Sequence, residues 1–243
     1  MRWPLGCAAT LLLASCGSGG SDEQRTLDVL AAASLSGAFE RLEADFEADH
    51  PNVDVRINLG SSATLARQVL EGAPADILAT ADERTMQVAV DGGGVTPPEQ
   101  FATNEMVLVT TVANPAGIRS FADLEDTGYV VCVETAPCGV VAAALLERNG
   151  ISNPPRSYQS DVKAVEQLVL ADEVDAGLVY ASDAAAHPDR LLAIPVPGSA
   201  EHRNPYLVAV AEQSDDPALA ADWVELLTGD RGRAVLADQG FDP

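Results

Sequence analysis

Residues 27–36, LDVLAAASLS, decide how the rest of the chain is read. A β-like run, Leu27-Asp28-Val29-Leu30, passes through three alanines and reaches Ser34, where a helical pattern begins. Leu35, Ala38, Phe39, Leu42 and Phe46 then recur at helical spacing with Glu and Asp between them. A strand that hands over to a helix through small residues and a serine leaves a helix N-terminus at the carboxyl edge of a sheet. Its free backbone N–H groups and hydroxyl favour an anion without any full positive charge. A serine placed so is by itself usually a cap worth about 1 kcal/mol, so the motif needs company before it marks a site.

The same rhythm extends outward. Residues 53–59 alternate as a strand, Gly60-Ser61-Ser62 leads to a helix over 64–70, and residues 75–80 form a buried-strand pattern. A helix over 83–90 is broken by Asp91-Gly92-Gly93-Gly94. Strands follow at 106–112 and 129–133, and Pro137 opens a helix that Gly150 ends. Residues 161–170 read as helix, 176–180 and 191–196 as strands, 205–211 as a crossover, and 217–227 and 230–237 as two closing helices. This alternation predicts an α/β fold with mainly parallel sheets flanked by helices. Junctions at Asn104 and Pro205 predict two lobes joined twice, residues 26–103 plus 206–243 and residues 104–205.

The chain has 243 residues, enough for one large domain or two of about 100–120. Its 37 acidic and 14 basic side chains give a formal charge of −23, which excludes nucleic acid as a partner because its phosphates would be repelled. Lys163 is the single lysine and there is no basic run, so basicity is not how an anion would be held.

The N-terminus sets the compartment. Arg2 precedes a short apolar stretch, residues 5–13, well below the ~20 residues of a transmembrane helix, and residues 1–15 read as a secretory signal. Leu13-Ala14-Ser15-Cys16 resembles the bacterial lipobox, whose cysteine becomes the lipidated first residue; the competing reading is an ordinary signal peptide that contains a cysteine. Residues 16–25 then comprise the lipidated Cys16 and a flexible tether, with GSGGSDEQ at 17–24. Cleavage removes Arg2 and no acid, leaving a charge of −24. With Cys7 removed and Cys16 lipidated, Cys132 and Cys138 remain. Outside the cytoplasm this pair reads as a disulfide in preference to free thiols or a metal site, for which no further ligands stand nearby.

Several junctions share the character of the first. Ser61-Ser62, Pro137-Cys138-Gly139 and Ser160-Asp161-Val162 each open a helix, and Tyr180 ends a strand. Taken singly, Ser34 and Ser62 are caps, Pro137 is a helix start, Tyr180 is core, and Val162 offers only its backbone N–H. Taken together, the blocks Ala31-Ala32-Ala33-Ser34-Leu35, Ser61-Ser62-Ala63-Thr64-Leu65-Ala66-Arg67-Gln68 and Gly72-Ala73-Pro74-Ala75-Asp76 resemble the periplasmic molybdate-binding proteins of molybdate ABC importers. The likeness continues through Pro137-Cys138-Gly139, Asp161-Val162 and Gly177-Leu178-Val179-Tyr180-Ala181-Ser182-Asp183, in order from Thr26 to Phe241.

The resemblance implies a two-lobed type II periplasmic binding fold that holds molybdate or tungstate in the interlobe cleft by neutral donors. It places ligand contacts on the hydroxyls and N–H groups of Ser34 and Ser62, the N–H groups of Cys138 and Val162, and the hydroxyl of Tyr180. Cys138 stands where the family has alanine, and a bond to Cys132 would brace that loop. It further implies no catalytic residue, no cofactor and no bare metal cation. The partners it implies are the oxyanion, an ABC permease and, through Cys16, the outer face of the cell membrane; the protein itself would be a monomer.

Other function classes fit the residues less well. A serine hydrolase needs a nucleophile elbow and a usable histidine, but there is no Gly-x-Ser-x-Gly, and His50, His187 and His202 sit beside Pro51, Pro188 and Arg203 in apparent loops. A metal receptor needs clustered ligands at the junctions; Asp76, Asp161 and Asp183 are candidates, each beside a capping position. Sulfate, thiosulfate or phosphate, or a coordination completed by carboxylates, remain open within the binding class.

Overall fold

The computed structural model describes residues 24–243. The expected signal sequence, Cys7, Cys16 and most of the tether lie outside the described residues.

Among the described residues, ten strands run in chain order: β1 (Arg25–Ala32), β2 (Val53–Gly60), β3 (Ile77–Thr80), β4 (Glu99–Asn104), β5 (Met106–Thr111), β6 (Tyr129–Cys132), β7 (Ser157–Gln159), β8 (Ala176–Tyr180), β9 (Leu191–Pro195) and β10 (Asn204–Val210). They build two five-stranded sheets, ordered β2-β1-β3-β10-β4 and β7-β6-β8-β5-β9. Helices α1 (Ser36–Asp49), α2 (Ser62–Leu70) and α3 (Glu83–Asp91) accompany the first sheet, and α4 (Pro137–Arg148), α5 (Val162–Leu170) and α6 (Ala181–Ala185) the second. The closing helices α7 (Pro217–Thr228) and α8 (Asp230–Asp238) pack back on the first, where Leu219, Trp223, Leu227 and Leu236 share a core with Leu27, Val29 and Phe39. Leu108, Val130, Leu145, Val165 and Leu178 belong to a separate core around the second sheet. The molecule is thus a two-lobed α/β protein.

The sheets are mainly parallel, with one reversed strand each. β1 runs parallel to β2 and β3, while β10 opposes β3 and β4. β6 runs parallel to β7 and β8, while β5 opposes β8 and β9. The reversal follows from the crossovers. Only Glu105 separates the end of β4 from the start of β5, so β5 enters the second sheet at the edge where its parallel strands end. β10 returns beside it, with Asn204 paired to Asn104, and enters the first sheet at the equivalent edge. The continuous apolar run at 106–112 predicts a strand but not its direction, and residues 205–211, expected as a crossover, form most of the paired strand β10. The polar EQFATN of β4, the three-residue edge strand β7 and the five-residue α6 carry too little periodicity to be read beforehand; neighbouring elements induce them.

Cys132, the last residue of β6, is bonded to Cys138 in the first turn of α4, with Cα atoms 5.7 Å apart. Closing so short a ring contributes about 2 kcal/mol on the chain-entropy model. Reduction is expected to lower unfolding stability by that amount in denaturant titrations with and without reductant. Coincident curves would show that the bridge does not constrain the unfolded chain.

Candidate functional site

The carboxyl ends of β1, β2 and β3 in one sheet and of β6, β7 and β8 in the other converge on a small cavity, the usual ligand position in open α/β sheets. Ser34, Ser62, Cys138, Val162 and Tyr180 all line it, each on a different element. The room left for the centre of a water-sized sphere is ≈ 20 Å³, the scale of a small ion rather than a sugar or peptide.

Ser34 differs from expectation in its local role. It does not cap α1: residues Ala33–Leu35 form a 3-10 turn, α1 starts at Ser36, and the residue at its N-cap is Leu35, without a side-chain bond. The turn drives Leu35 into the core, where it is fully buried. The Ser34 hydroxyl, freed from capping, lies 2.8 Å from that of Tyr206 on β10. Tyr206 was not among the expected site residues. Its place in an apolar strand signals burial, but nothing local signals a hydroxyl partner 172 positions away.

Ser62 is the first residue of α2, after an extended Ser61 that makes no side-chain cap. Its Oγ accepts the N–H of Ala81 at 3.0 Å, which leaves the hydroxyl proton to point elsewhere. On α4, Pro137 takes the first helical position and Cys138 the second, where a backbone N–H has no partner within the helix. Gly139 lets this turn sit against the end of β6, since a Cβ there would lie 1.9 Å from the Val133 carbonyl oxygen. On α5, the N-cap Asp161 accepts from the N–H of Ala164 at 3.0 Å, so the earlier N–H of Val162 stays free.

Tyr180 ends β8 with its ring buried and edge-on to Tyr206, centroids 6.0 Å apart. Its backbone N–H donates to Asp183 Oδ2 at 3.1 Å, and its hydroxyl, although buried, makes no hydrogen bond among the described residues. Burial, with the neighbouring Tyr206, Asp183 and Asp82 adding to it, holds the phenol well above its ordinary pKa, so it stays a neutral donor. Among the described residues no lysine or arginine lines the cavity, and Asp161, the one acid of these that does, is engaged as a cap. The arrangement offers N–H and O–H donors to a solute rich in acceptors.

The other candidates have structural partners. Asp76 accepts the Asp28 N–H at 2.8 Å and the Ser214 hydroxyl at 2.5 Å, bracing the starts of β1 and β3. His50 Nδ1 lies 3.0 Å from the Phe46 carbonyl, and His187 Nε2 lies 2.8 Å from Glu166. None of His50, His187 and His202 lines the cavity.

The model of the bacterial extracellular solute-binding proteins matches residues 27–242. The chain is a bacterial extracellular solute-binding protein. Among relatives, the molybdate-binding protein ModA of Mycobacterium tuberculosis is 36% identical over 258 aligned positions that cover 99% of each chain. That of Escherichia coli is 29% identical over 250 positions, 96% of this chain and 94% of its own. Among solved structures, the periplasmic molybdate-binding protein of Azotobacter vinelandii superposes with a TM-score of 0.80 at 17% identity, covering 89% of this chain and 99% of that one. The sulfate-binding protein SubI of M. tuberculosis gives 0.78 at 16%, covering 90% and 87%. Two structures named for different anions fit almost equally well, so the architecture of this solute-binding protein does not select its solute. Family membership places it outside the cytoplasm, where a disulfide persists.

Proposed function

We propose that this solute-binding protein captures molybdate, and tungstate with it, between its lobes and delivers the anion to the permease of an ABC importer. The observation that carries the reading is the convergence of Ser34, Ser62, Cys138, Val162 and Tyr180 on one small cavity, where the buried Tyr180 hydroxyl has no hydrogen-bond partner among the described residues. Relatives named molybdate-binding protein supply the choice of anion. The lobes are residues 26–103 plus 206–243 and residues 104–205, and closure about the paired crossovers couples binding to shape.

Neutral donors suit a dianion even in so acidic a chain. Repulsion from distant carboxylates is screened beyond ~8 Å at physiological salt. Within the cleft, charge-assisted hydrogen bonds of about 1.5–3 kcal/mol each, together with the starts of α2, α4 and α5, dominate. The same donors release the anion more readily than a buried arginine pair. Size then discriminates, because a smaller tetrahedral ion leaves some donors unpaired. Holding and release need no bond-making step, no cofactor and no cation, so the protein is a receptor, not an enzyme. It acts as a monomer after removal of residues 1–15, tethered to the outer face of the membrane by a lipid on Cys16. A Bacillus subtilis relative, 28% identical over 246 positions, is itself described as a substrate-binding lipoprotein of an ABC transporter.

Thermal denaturation with molybdate, tungstate, sulfate, phosphate and divalent cations tests the reading. At a hundredfold excess over Kd a bound ion stabilises by about 2.7 kcal/mol, roughly 5–10 °C for a chain of this size. Molybdate and tungstate are expected to give such shifts and sulfate almost none. A shift with sulfate or phosphate alone would favour the second reading, a receptor for another tetrahedral oxyanion. No shift with either large oxyanion would sink the proposal.

A further inference from the structure

Directly after Val162 stands Lys163, the only lysine in the chain. Its ammonium lies 2.8 Å from Glu166 Oε2 and 3.0 Å from Asp183 Oδ1, and both carboxylates are wholly buried. The other Glu166 oxygen lies 2.8 Å from His187 Nε2, and the other Asp183 oxygen accepts the Tyr180 N–H at 3.1 Å. A short path therefore joins two of the proposed anion donors. Val162 is bonded to Lys163, the ammonium holds Asp183, and Asp183 holds the backbone of Tyr180.

Stability alone does not explain the cluster. Two buried carboxylates around one ammonium bear a desolvation cost that an apolar replacement of similar volume would avoid. What such a cluster does supply is geometry, since each charge tolerates few positions once the others are set. The elements it ties are those whose relative placement matters at the cavity: the first turn of α5 and the junction of β8 with α6.

We infer that Lys163 is a positioning residue, clamping Asp183 to the start of α5 so that the Val162 N–H and the Tyr180 hydroxyl address the same anion. The inference rests on the oxyanion reading for its consequence in binding, but not for the clamp itself. Removing the ammonium lets the β8–α6 junction shift, and the Tyr180 hydroxyl then contributes less to the bound state.

A double-mutant cycle read by calorimetry with molybdate tests this. Lys163→Gln is expected to weaken binding at least fivefold. Tyr180→Phe should then weaken it by a much smaller factor in the Lys163→Gln background than alone. Ser62→Ala, in the opposite lobe and held by the Ala81 N–H rather than by Tyr206, should act by the same factor in both backgrounds. Should Lys163→Gln fail to fold, Asp183→Asn replaces it, because one amide oxygen cannot serve both Lys163 and the Tyr180 N–H while the Lys163–Glu166 pair stays intact. Hydrogen exchange in the ligand-free protein decides the clamp without any anion. The Tyr180 amide should exchange at least tenfold faster in either variant, with Val131 in β6 unchanged. Equal factors in the cycle, or Tyr180 exchange that rises only in step with Val131, overturn the proposal. If the unaltered protein binds neither molybdate nor tungstate, the oxyanion reading fails, and the exchange result alone stands for or against the clamp.

Discussion

Tyr180→Phe is expected to weaken molybdate binding ten- to a hundredfold, about 1.5–3 kcal/mol, while the melting temperature of the ligand-free protein stays level or rises. The two halves of that expectation come from one observation. The Tyr180 hydroxyl is buried without a hydrogen-bond partner among the described residues, so its deletion breaks no hydrogen bond there and removes a polar group from a site that leaves it unsatisfied. The ring remains to pack edge-on against Tyr206. In the complex the same deletion takes away a neutral O–H donor to an anionic oxygen, the kind of bond that stands above the ordinary range. Calorimetry on both proteins separates the halves. An unchanged Kd would remove Tyr180 from the site, and a fall in stability would mean that the hydroxyl serves the fold.

The second large effect is expected at a residue that touches no ligand. In Gly139→Ala the new Cβ would stand 1.9 Å from the Val133 carbonyl oxygen, 2.4 Å from its carbon and 2.8 Å from the Cys132 carbonyl oxygen. All three are backbone atoms at the end of β6, so no side chain can rotate out of the way. The first turn of α4 must therefore move, while the Cys132–Cys138 bond resists that movement. Strain of this kind costs about 1–3 kcal/mol, roughly 3–10 °C in melting temperature at this size. The displaced Cys138 N–H should reduce molybdate affinity more than tenfold. A stable variant with wild-type affinity would show that the Cys138 amide is not among the donors.

The expected site residues illustrate how far a sequence carries. Cys138 and Val162 are singled out by the family resemblance, and their local sequence agrees with it: the first N–H groups of any helix lack partners, and Pro137 and Asp161 mark where those helices begin. The period of apolar residues likewise announces the alternating strands and helices, and with them the α/β class. Ser34 shows the boundary of that logic. A serine after a strand reads as a cap, yet the burial of Leu35 turns the chain through a 3-10 turn and hands the hydroxyl to Tyr206.

The sequence alone determined which backbone donors would be free and roughly where the chain would change from strand to helix. Tertiary structure decided the rest: the reversed β5 and β10, the acceptor that orients Ser62, the unpartnered phenol of Tyr180, and the gathering of Lys163, Glu166, Asp183 and His187. Helical N–H groups answer to the neighbouring residues along the chain. Side-chain hydroxyls and buried charges answer to whichever atoms the folded lobes bring within about 3 Å.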